Sequence, residues 1–121
     1  MAMSLGNIVF DCADTLRSAT FYSELTGWPI VRTDDDWIDL MSDQGVKLSF
    51  QLAPDHVPPT WPDAERPQQA HLDIDVDDLD SAEARALELG AIKLSDAEAP
   101  HSFRVFADPA GHPFCLCAKA T

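Results

Sequence analysis

His71 and Asp73 are the two residues with the clearest potential for chemistry. Side chains alternate along a strand, so an imidazole and a carboxylate two positions apart share one face. Such a pair can transfer a proton or attract a cation, which makes both residues the candidate catalytic groups. The competing interpretation, of equal weight, is that Asp73 is a solvated surface acid.

The three cysteines form no familiar redox or zinc motif. Cys115 and Cys117 are separated by one residue rather than the two of a C-x-x-C motif, and Cys12 stands alone. Two residues at that spacing on a strand share a face but lack the geometry for a disulfide. We expect reduced thiols in a cytoplasmic protein.

Signatures of several other chemistries are missing from the sequence. It contains no glycine-rich phosphate loop, no G-x-S-x-G and no H-E-x-x-H. The acidic run 75–80 lacks the glycine and the terminal glutamate of a calcium loop, and negative charge at a helix start explains it better. The remaining histidines, His56, His101 and His112, fall in predicted loops or turns, where solvation is the default.

Length and charge restrict the function further. A chain of 121 residues suits one domain, or two half-size modules that share a core. Its 21 acidic and 8 basic residues give a net charge of −13, which argues against nucleic acids and membrane surfaces as partners. An acidic surface favours cationic or neutral ligands, although solubility alone explains it. No apolar run approaches the ~18 residues that a membrane span needs.

Hydrophobic patterning predicts the same series of elements twice. The first series is a strand over 5–11, a helix over 14–26 stopped by Gly27, and three short strands up to residue 52. The second is a strand over 70–76, a helix from about Asp78 to residue 89, and three strands that end at 118. Five prolines fall in the connector between them, residues 53–69, whose one large apolar side chain is Trp61.

The two series also agree residue by residue at a nearly constant offset of 64 positions. At that offset Asn7 corresponds to His71, Asp14 to Asp78, and Gln51 to Cys115. An internal repeat of this kind means that one supersecondary unit occurs twice. The predicted fold is therefore α+β, with two βαβββ modules.

Several stretches resemble the vicinal oxygen chelate superfamily, which includes glyoxalase I, extradiol dioxygenases, and fosfomycin- and bleomycin-resistance proteins. They are Phe21-Tyr22 through Gly27, His71-Leu72-Asp73, and the turn from Asp108 to Pro113. The match is closest to glyoxalase-like members of undefined activity. It implies one domain over 1–121, with module one at 5–52, connector 53–69 and module two at 70–118. The strands would curl into a cup in a pseudo-twofold arrangement, with the helices outside, and the protein would form a homodimer.

The resemblance also indicates where a metal would sit. The superfamily's ligands lie on the first and last strands of each module, which here gives Asn7, Gln51, His71 and Cys115. These positions hold one imidazole, two neutral amides and a thiol, whereas a divalent cation needs about three imidazole or carboxylate ligands. We therefore expect no metal cofactor. The alternative is a recruited zinc, iron or manganese ion.

We expect a protein similar to the bleomycin-resistance proteins, which binds a small organic molecule in its concave face. The expected ligand is cationic or aromatic, and the alternative function is that of a lyase, isomerase or dioxygenase that uses His71 with Asp73. The expected ligand-binding residues are Asn7, Trp37, Gln51, Trp61, His71, Asp73 and Cys115. Core packing competes with ligand stacking for Trp37, and a lid or dimer contact competes with it for Trp61.

The ligand count yields a first test. Protein purified without chelator should carry no stoichiometric divalent metal at Asn7, Gln51, His71 and Cys115, which elemental analysis measures directly. About one zinc, iron or manganese per chain, lost on His71→Ala, would contradict the prediction.

Overall fold

The computed structural model describes residues 2–61, 63–96 and 103–118. The chain forms two compact units, Met1–His56 and Val57–Thr121. The proline-rich connector is therefore divided. Residues 53–56 belong to the first unit, where the Ala53 amide donates to the Cys12 carbonyl at 2.9 Å. Residues 57–69 belong to the second.

The first unit is a four-stranded mixed sheet with one helix. Its elements are β1 (Ile8–Cys12), α1 (Thr15–Thr26), β2 (Ile30–Asp34), β3 (Trp37–Met41) and β4 (Lys47–Leu52). The strand order is β1-β4-β3-β2, with β1 parallel to β4 and the other pairs antiparallel.

The second unit repeats this topology. Its elements are β5 (Leu72–Val76), α2 (Leu79–Glu88), β6 (Ile92–Asp96), β7 (Phe103–Ala107) and β8 (Pro113–Ala118). The order β5-β8-β7-β6 reproduces that of the first unit, and β5 is parallel to β8. The predicted fold class, α+β with two βαβββ modules, is confirmed. Neither of the two described helices has the length and apolar run that crossing a membrane would require.

Both helices begin where short acidic side chains cap them. The Asp14 carboxylate accepts from the Arg17 amide at 3.1 Å, and Asp78 does the same for the Asp80 amide. Helix α1 ends at Gly27, whose φ of 82° lies in the left-handed region that glycine tolerates best. Local capping chemistry therefore sets these ends close to their predicted positions.

One face of each sheet packs against its helix. In the first unit the ring of Tyr22 on α1 stacks on Phe50 of β4, with centroids 5.8 Å apart. In the second, Phe106 stacks on Phe114, and Arg104 of β7 forms ion pairs with Asp80 and Glu83 of α2. In β1, β3–β5, β7 and β8 the even-numbered residues thus face the helices and the odd-numbered residues lie on the other face.

The strand register corrects one predicted equivalence. Val9 pairs with Ser49 in the first unit, and Asp73 pairs with Cys115 in the second. Since Val9 and Asp73 are 64 positions apart, the counterpart of Cys115 is Ser49. The equivalence of Gln51 with Cys115 is therefore wrong, because the offset at the last strand is 66.

The additional residues lie between the middle strands of the second unit. Two residues, 35–36, connect β2 to β3, whereas six residues, 97–102, connect β6 to β7. Residues 97–102, which include His101, lie outside the described residues. The following turns then match at the larger offset. The Gly45 amide donates to the Ser42 carbonyl at 3.0 Å, and the Gly111 amide donates to that of Asp108 at 2.8 Å.

A buried polar row crosses the odd-numbered face of the first sheet. The Ser49 hydroxyl accepts from the Asn7 amide at 2.7 Å and donates to Oδ1 of Asp39 at 2.6 Å. The Trp37 indole also donates to that oxygen, at 2.6 Å. Asp39 and Ser49 are both buried. The row therefore joins the residue before β1 to β4 through the Ser49 hydroxyl, and joins β4 to β3 through the Asp39 carboxylate.

The hydrogen bonds keep this carboxylate charged. Burial raises the pKa of Asp39, but hydrogen bonds from Ser49 and Trp37 and the positive charges of Lys47 and Arg32 outweigh it and hold the pKa below its usual value. A buried carboxylate that is stabilised in this way ties the stability of the unit to pH.

Replacement of Ser49 by Ala tests the row. It removes a hydrogen bond to a charged acceptor and leaves the Asn7 amide unpaired, so the free energy of unfolding should fall by about 1.5–3 kcal/mol. Chemical denaturation at pH 7 measures the change, and Ser95→Ala on exposed β6 is the matched control.

Acid should reduce the difference between wild type and Ser49→Ala. Because the folded pKa of Asp39 lies below the unfolded value, its ionised form stabilises the fold above about pH 4. That contribution is lost as the pH falls through the folded pKa. A difference between the two proteins that stays constant down to the acid transition would contradict this account.

Candidate functional site

The second unit contains a cavity of about 250 Å³ on the sheet face opposite α2. Its apolar walls are Trp61, Phe103, Val105 and Pro113, and its polar groups are Gln68, His71, Asp73 and Cys115. This volume is slightly below the roughly 300–1,000 Å³ that is typical of ligand sites, so it suits a small organic molecule. None of these lining residues, all among the described ones, is a lysine or an arginine.

Strand pairing brings most of these side chains together. Asp73 of β5, Cys115 of β8 and Val105 of β7 are direct neighbours across three strands. Alternation places Pro113 and Phe103 on the same face, one step away along β8 and β7 respectively. The site is thus a row across the sheet, with Pro113 beside it along β8 and Phe103 beside it along β7.

His71, Asp73 and Cys115 form a linked polar cluster. Nε2 of His71 lies 3.1 Å from Oδ1 of Asp73, and the Cys115 thiol hydrogen-bonds to the same carboxylate group. The side chains of His71 and Asp73 are 36% and 61% exposed, whereas Cys115 is buried. The cluster therefore presents its imidazole and carboxylate to solvent and keeps its sulfur inside.

The environment of Cys115 makes it a poor nucleophile. Burial, the negative charge of Asp73 and the hydrogen bond to that carboxylate together raise the pKa of Cys115 to about 12. The pKa of Cys117 is raised as well, by burial and by Asp73 and Asp75. Both thiols are therefore protonated near neutral pH, which fits recognition better than covalent catalysis.

The connector supplies the remaining wall. Trp61 is half-buried at the cavity, and Gln68 lies beside it in the lining. Oε1 of Gln68 is buried and accepts no hydrogen bond from any residue that the structure describes. An unpaired buried acceptor costs free energy unless a bound molecule or water donates to it.

Three predicted site residues lie in the first unit and do not line this cavity. Asn7 and Trp37 belong to the buried polar row, where each donates a hydrogen bond. Gln51 is exposed on β4, where it pairs with Trp37 and Asp11 across the sheet. His71, Asp73, Cys115 and Trp61 are the predicted residues that the structure brings together.

Four lining residues were not among those predicted, namely Gln68, Phe103, Val105 and Pro113. Alternation from Cys115 would have indicated Pro113, which precedes it by two positions. Val105 and Phe103 required the register of β7 against β8, and no local pattern points to Gln68.

Among the residues that the structure describes, donor atoms that could hold a divalent metal come together in the second unit. The first-unit counterparts of His71 and Cys115 are Asn7 and Ser49, which hydrogen-bond to each other and carry no charge. The two-module ligand set therefore does not fit. His71, Asp73 and Cys115 each offer one ligand atom, and these three atoms lie within 4.8 Å of one another. Nitrogen, oxygen and sulfur donors in this number suit zinc with an open position.

Comparison with known families agrees with the fold. The family model described as a glyoxalase-like domain matches residues 7–117. A search of curated proteins gives no significant match.

Several solved structures share the fold. A glyoxalase-related enzyme from Fulvimarina pelagi is 25% identical, with a TM-score of 0.71 over 96% of this chain and 88% of that one. A genomically encoded fosfomycin resistance protein from Listeria monocytogenes is 14% identical, with a TM-score of 0.75 over 99% and 96%. A glyoxalase/bleomycin resistance protein/dioxygenase family enzyme from Burkholderia phytofirmans is 16% identical, with a TM-score of 0.72 over 93% and 95%.

The cysteine environment gives a prediction about reactivity. In the native protein at pH 8, Cys115 should be alkylated by iodoacetamide at least about 100 times more slowly than an ordinary thiol, because its thiolate is scarce. Peptide mass spectrometry after a timed quench measures the rate at each cysteine.

Two aspartate variants separate the causes. Asp73→Asn removes a charge that raises the pKa of Cys115, so Cys115 should react faster. Asp75→Asn on the same face should affect only Cys117, since Asp75 contributes only to the pKa of Cys117. Equal acceleration of Cys115 in both variants would show that the assigned cause is wrong.

Proposed function

Because the chain belongs to the glyoxalase-like domain family, we propose that it binds a small organic molecule in the cavity of its second unit, without a catalytic metal. The observation that carries the proposal is the composition of the cavity wall. Two aromatic rings, Trp61 and Phe103, face a cluster with a carboxylate and an unpaired amide oxygen. Apolar walls with a few polar anchors are typical of small-molecule sites.

The charges around the cavity favour a cationic aromatic ligand. Asp73 is the charged lining residue, and Asp75 follows it on the same face of β5. A ring can stack on Trp61, while an ammonium group can reach Asp73 and donate to Oε1 of Gln68. The net charge of −13 adds a long-range attraction for cations. The homodimer that the family resemblance implies stays a prediction within this proposal.

An enzymatic role is the second candidate, and the His71–Asp73 contact favours it. With Nε2 of His71 held by Asp73, Nδ1 is the nitrogen left to exchange a proton with a bound molecule. Asp73 would then orient the ring. A divalent metal recruited by His71, Asp73 and Cys115 would supply Lewis acidity at the same place.

A charge series of one small aromatic body tests the binding proposal. 2-Phenylethylamine, 2-phenylethanol and 3-phenylpropanoate differ mainly in charge, and calorimetry measures their affinities. The cation should bind most tightly and the anion most weakly. Trp61→Ala should weaken the binding of the amine and the alcohol alike, since both lose the stacking contact.

Asp73→Asn should lower the affinity for the amine about fivefold, which is the effect of losing a partly exposed ion pair. The affinity for the alcohol should stay nearly unchanged. Asp75→Asn is the control for the general loss of one negative charge. Tightest binding of the anion, or an equal loss for all three molecules in Asp73→Asn, would contradict the proposed ligand class.

A further inference from the structure

We propose that residues 57–61 and 63–69, here called the connector loop, form a fixed wall of the cavity, positioned by Gly111 and Thr60. This inference rests on the proposed function, since it concerns how the same cavity holds its ligand. Neither positioning residue lines the cavity. They act through Trp61 and Gln68, which do.

The first support is a close approach between the loop and the turn before β8. A Cβ added to Gly111 would overlap the Cβ of Pro58 and lie 3.1 Å from its Cγ. Pro58 therefore rests on the bare α-carbon of this glycine. The turn beneath is itself held, because Oδ1 of buried Asp108 accepts from the amides of Ala110 and His112 at 2.9 and 3.0 Å.

The repeat shows that this contact is separate from the turn's own need for glycine. Gly45 occupies the matching position in the first unit, with φ of 83° against 93° for Gly111. A Cβ on Gly45 would meet no atom within 4 Å. Both turns require a left-handed residue, but only at Gly111 does a second segment occupy the space of the missing side chain.

The second support is a closed ring of hydrogen bonds in the loop. The Thr60 amide donates to the Arg66 carbonyl at 2.7 Å, and the Arg66 amide donates back to the Thr60 hydroxyl at 2.9 Å. Nε of Arg66 also donates to the Pro58 carbonyl at 3.3 Å. Trp61 directly follows Thr60, and Gln68 lies two residues after Arg66. Both lining side chains therefore lie within two residues of the hydrogen bonds that join Thr60 to Arg66.

A wall fixed in advance strengthens binding because the free protein has already lost the freedom that binding would otherwise remove. The buried, unpaired Oε1 of Gln68 agrees with this, because a mobile loop would turn that oxygen toward water. The geometry thus assigns Gly111 and Thr60 as positioning residues for a ligand that they do not touch.

The experiment compares Gly111→Ala with Gly45→Ala in the full chain. Both changes place alanine at a positive φ, so the strain of the turn is matched and only Gly111→Ala displaces Pro58. We measure hydrogen exchange at the Thr60 and Arg66 amides and the affinity for 2-phenylethylamine. Hydrogen exchange at both amides should become at least about tenfold faster in Gly111→Ala, and the affinity for the amine should fall at least about tenfold. Both quantities should stay near wild type in Gly45→Ala.

Two further variants keep the test decisive if Gly111→Ala folds poorly. In a Pro58→Gly background, Gly111→Ala should have little further effect on exchange in the loop, because the overlapping side chain is gone. Thr60→Val keeps the shape of the side chain but removes the acceptor for the Arg66 amide. It should raise the rate of hydrogen exchange at the Arg66 amide and weaken the binding of 2-phenylethylamine several-fold.

The proposal is overturned if Gly111→Ala and Gly45→Ala change exchange and affinity to the same extent. It is overturned equally if loop exchange in folded Gly111→Ala equals that of wild type. A wild-type protein that binds none of the three aromatic probes would overturn the proposed function instead. The exchange pattern would then still support the fixed loop on its own.

Discussion

The parallel pairing of the first and last strands of each unit is the constraint on which the other features depend. It joins segments about forty residues apart, and it needs a crossover that covers one face of the sheet, which the helix provides. Once the helix covers that face, the odd-numbered side chains are confined to the other. In the second unit this places Asp73 beside Cys115, with Val105 as the next neighbour. The candidate site is therefore a direct product of strand register.

The two units use the same face for different purposes. In the first, a buried carboxylate is satisfied by a serine and an indole, and each donor comes from a neighbouring position on the sheet. In the second, the position of Asp39 is taken by Val105 and that of Ser49 by Cys115, which leaves His71 and Asp73 linked to each other and open to solvent. A polar row whose groups all hydrogen-bond to one another contributes stability. A row whose polar groups still have free hydrogen-bonding capacity can bind a ligand. Under the proposed function, the repeat therefore separates structural from recognition chemistry within one chain.

The parts of this structure that depend on local chemistry could be predicted from the sequence. Asp14, Gly27 and the alternation around His71 each act within a few residues, so the helix ends and the facing of β5 follow from short patterns. The equivalence of Gln51 with Cys115 failed because it depends on how many residues connect two distant strands. Burial of Asp39 was missed for a related reason. From the sequence alone, an aspartate in a strand is expected to be exposed. Only the pairing of β3 with β4 shows that the Ser49 hydroxyl donates a hydrogen bond to it.

A chain that contains the same pairing pattern twice faces the problem of exchanging its strands. During folding, β4 and β8 offer similar hydrophobic alternation to β1 and to β5, so a sheet that combines strands of the two units would be a kinetic trap. The buried row of the first unit would make that error costly. If β8 replaced β4 beside β3, Cys115 would stand where Ser49 donates, and Asp39 would be left as a buried charge with one strong hydrogen bond removed. The hydrogen bond from Ser49 to Asp39 would therefore favour the pairing of β3 with β4 over its pairing with β8.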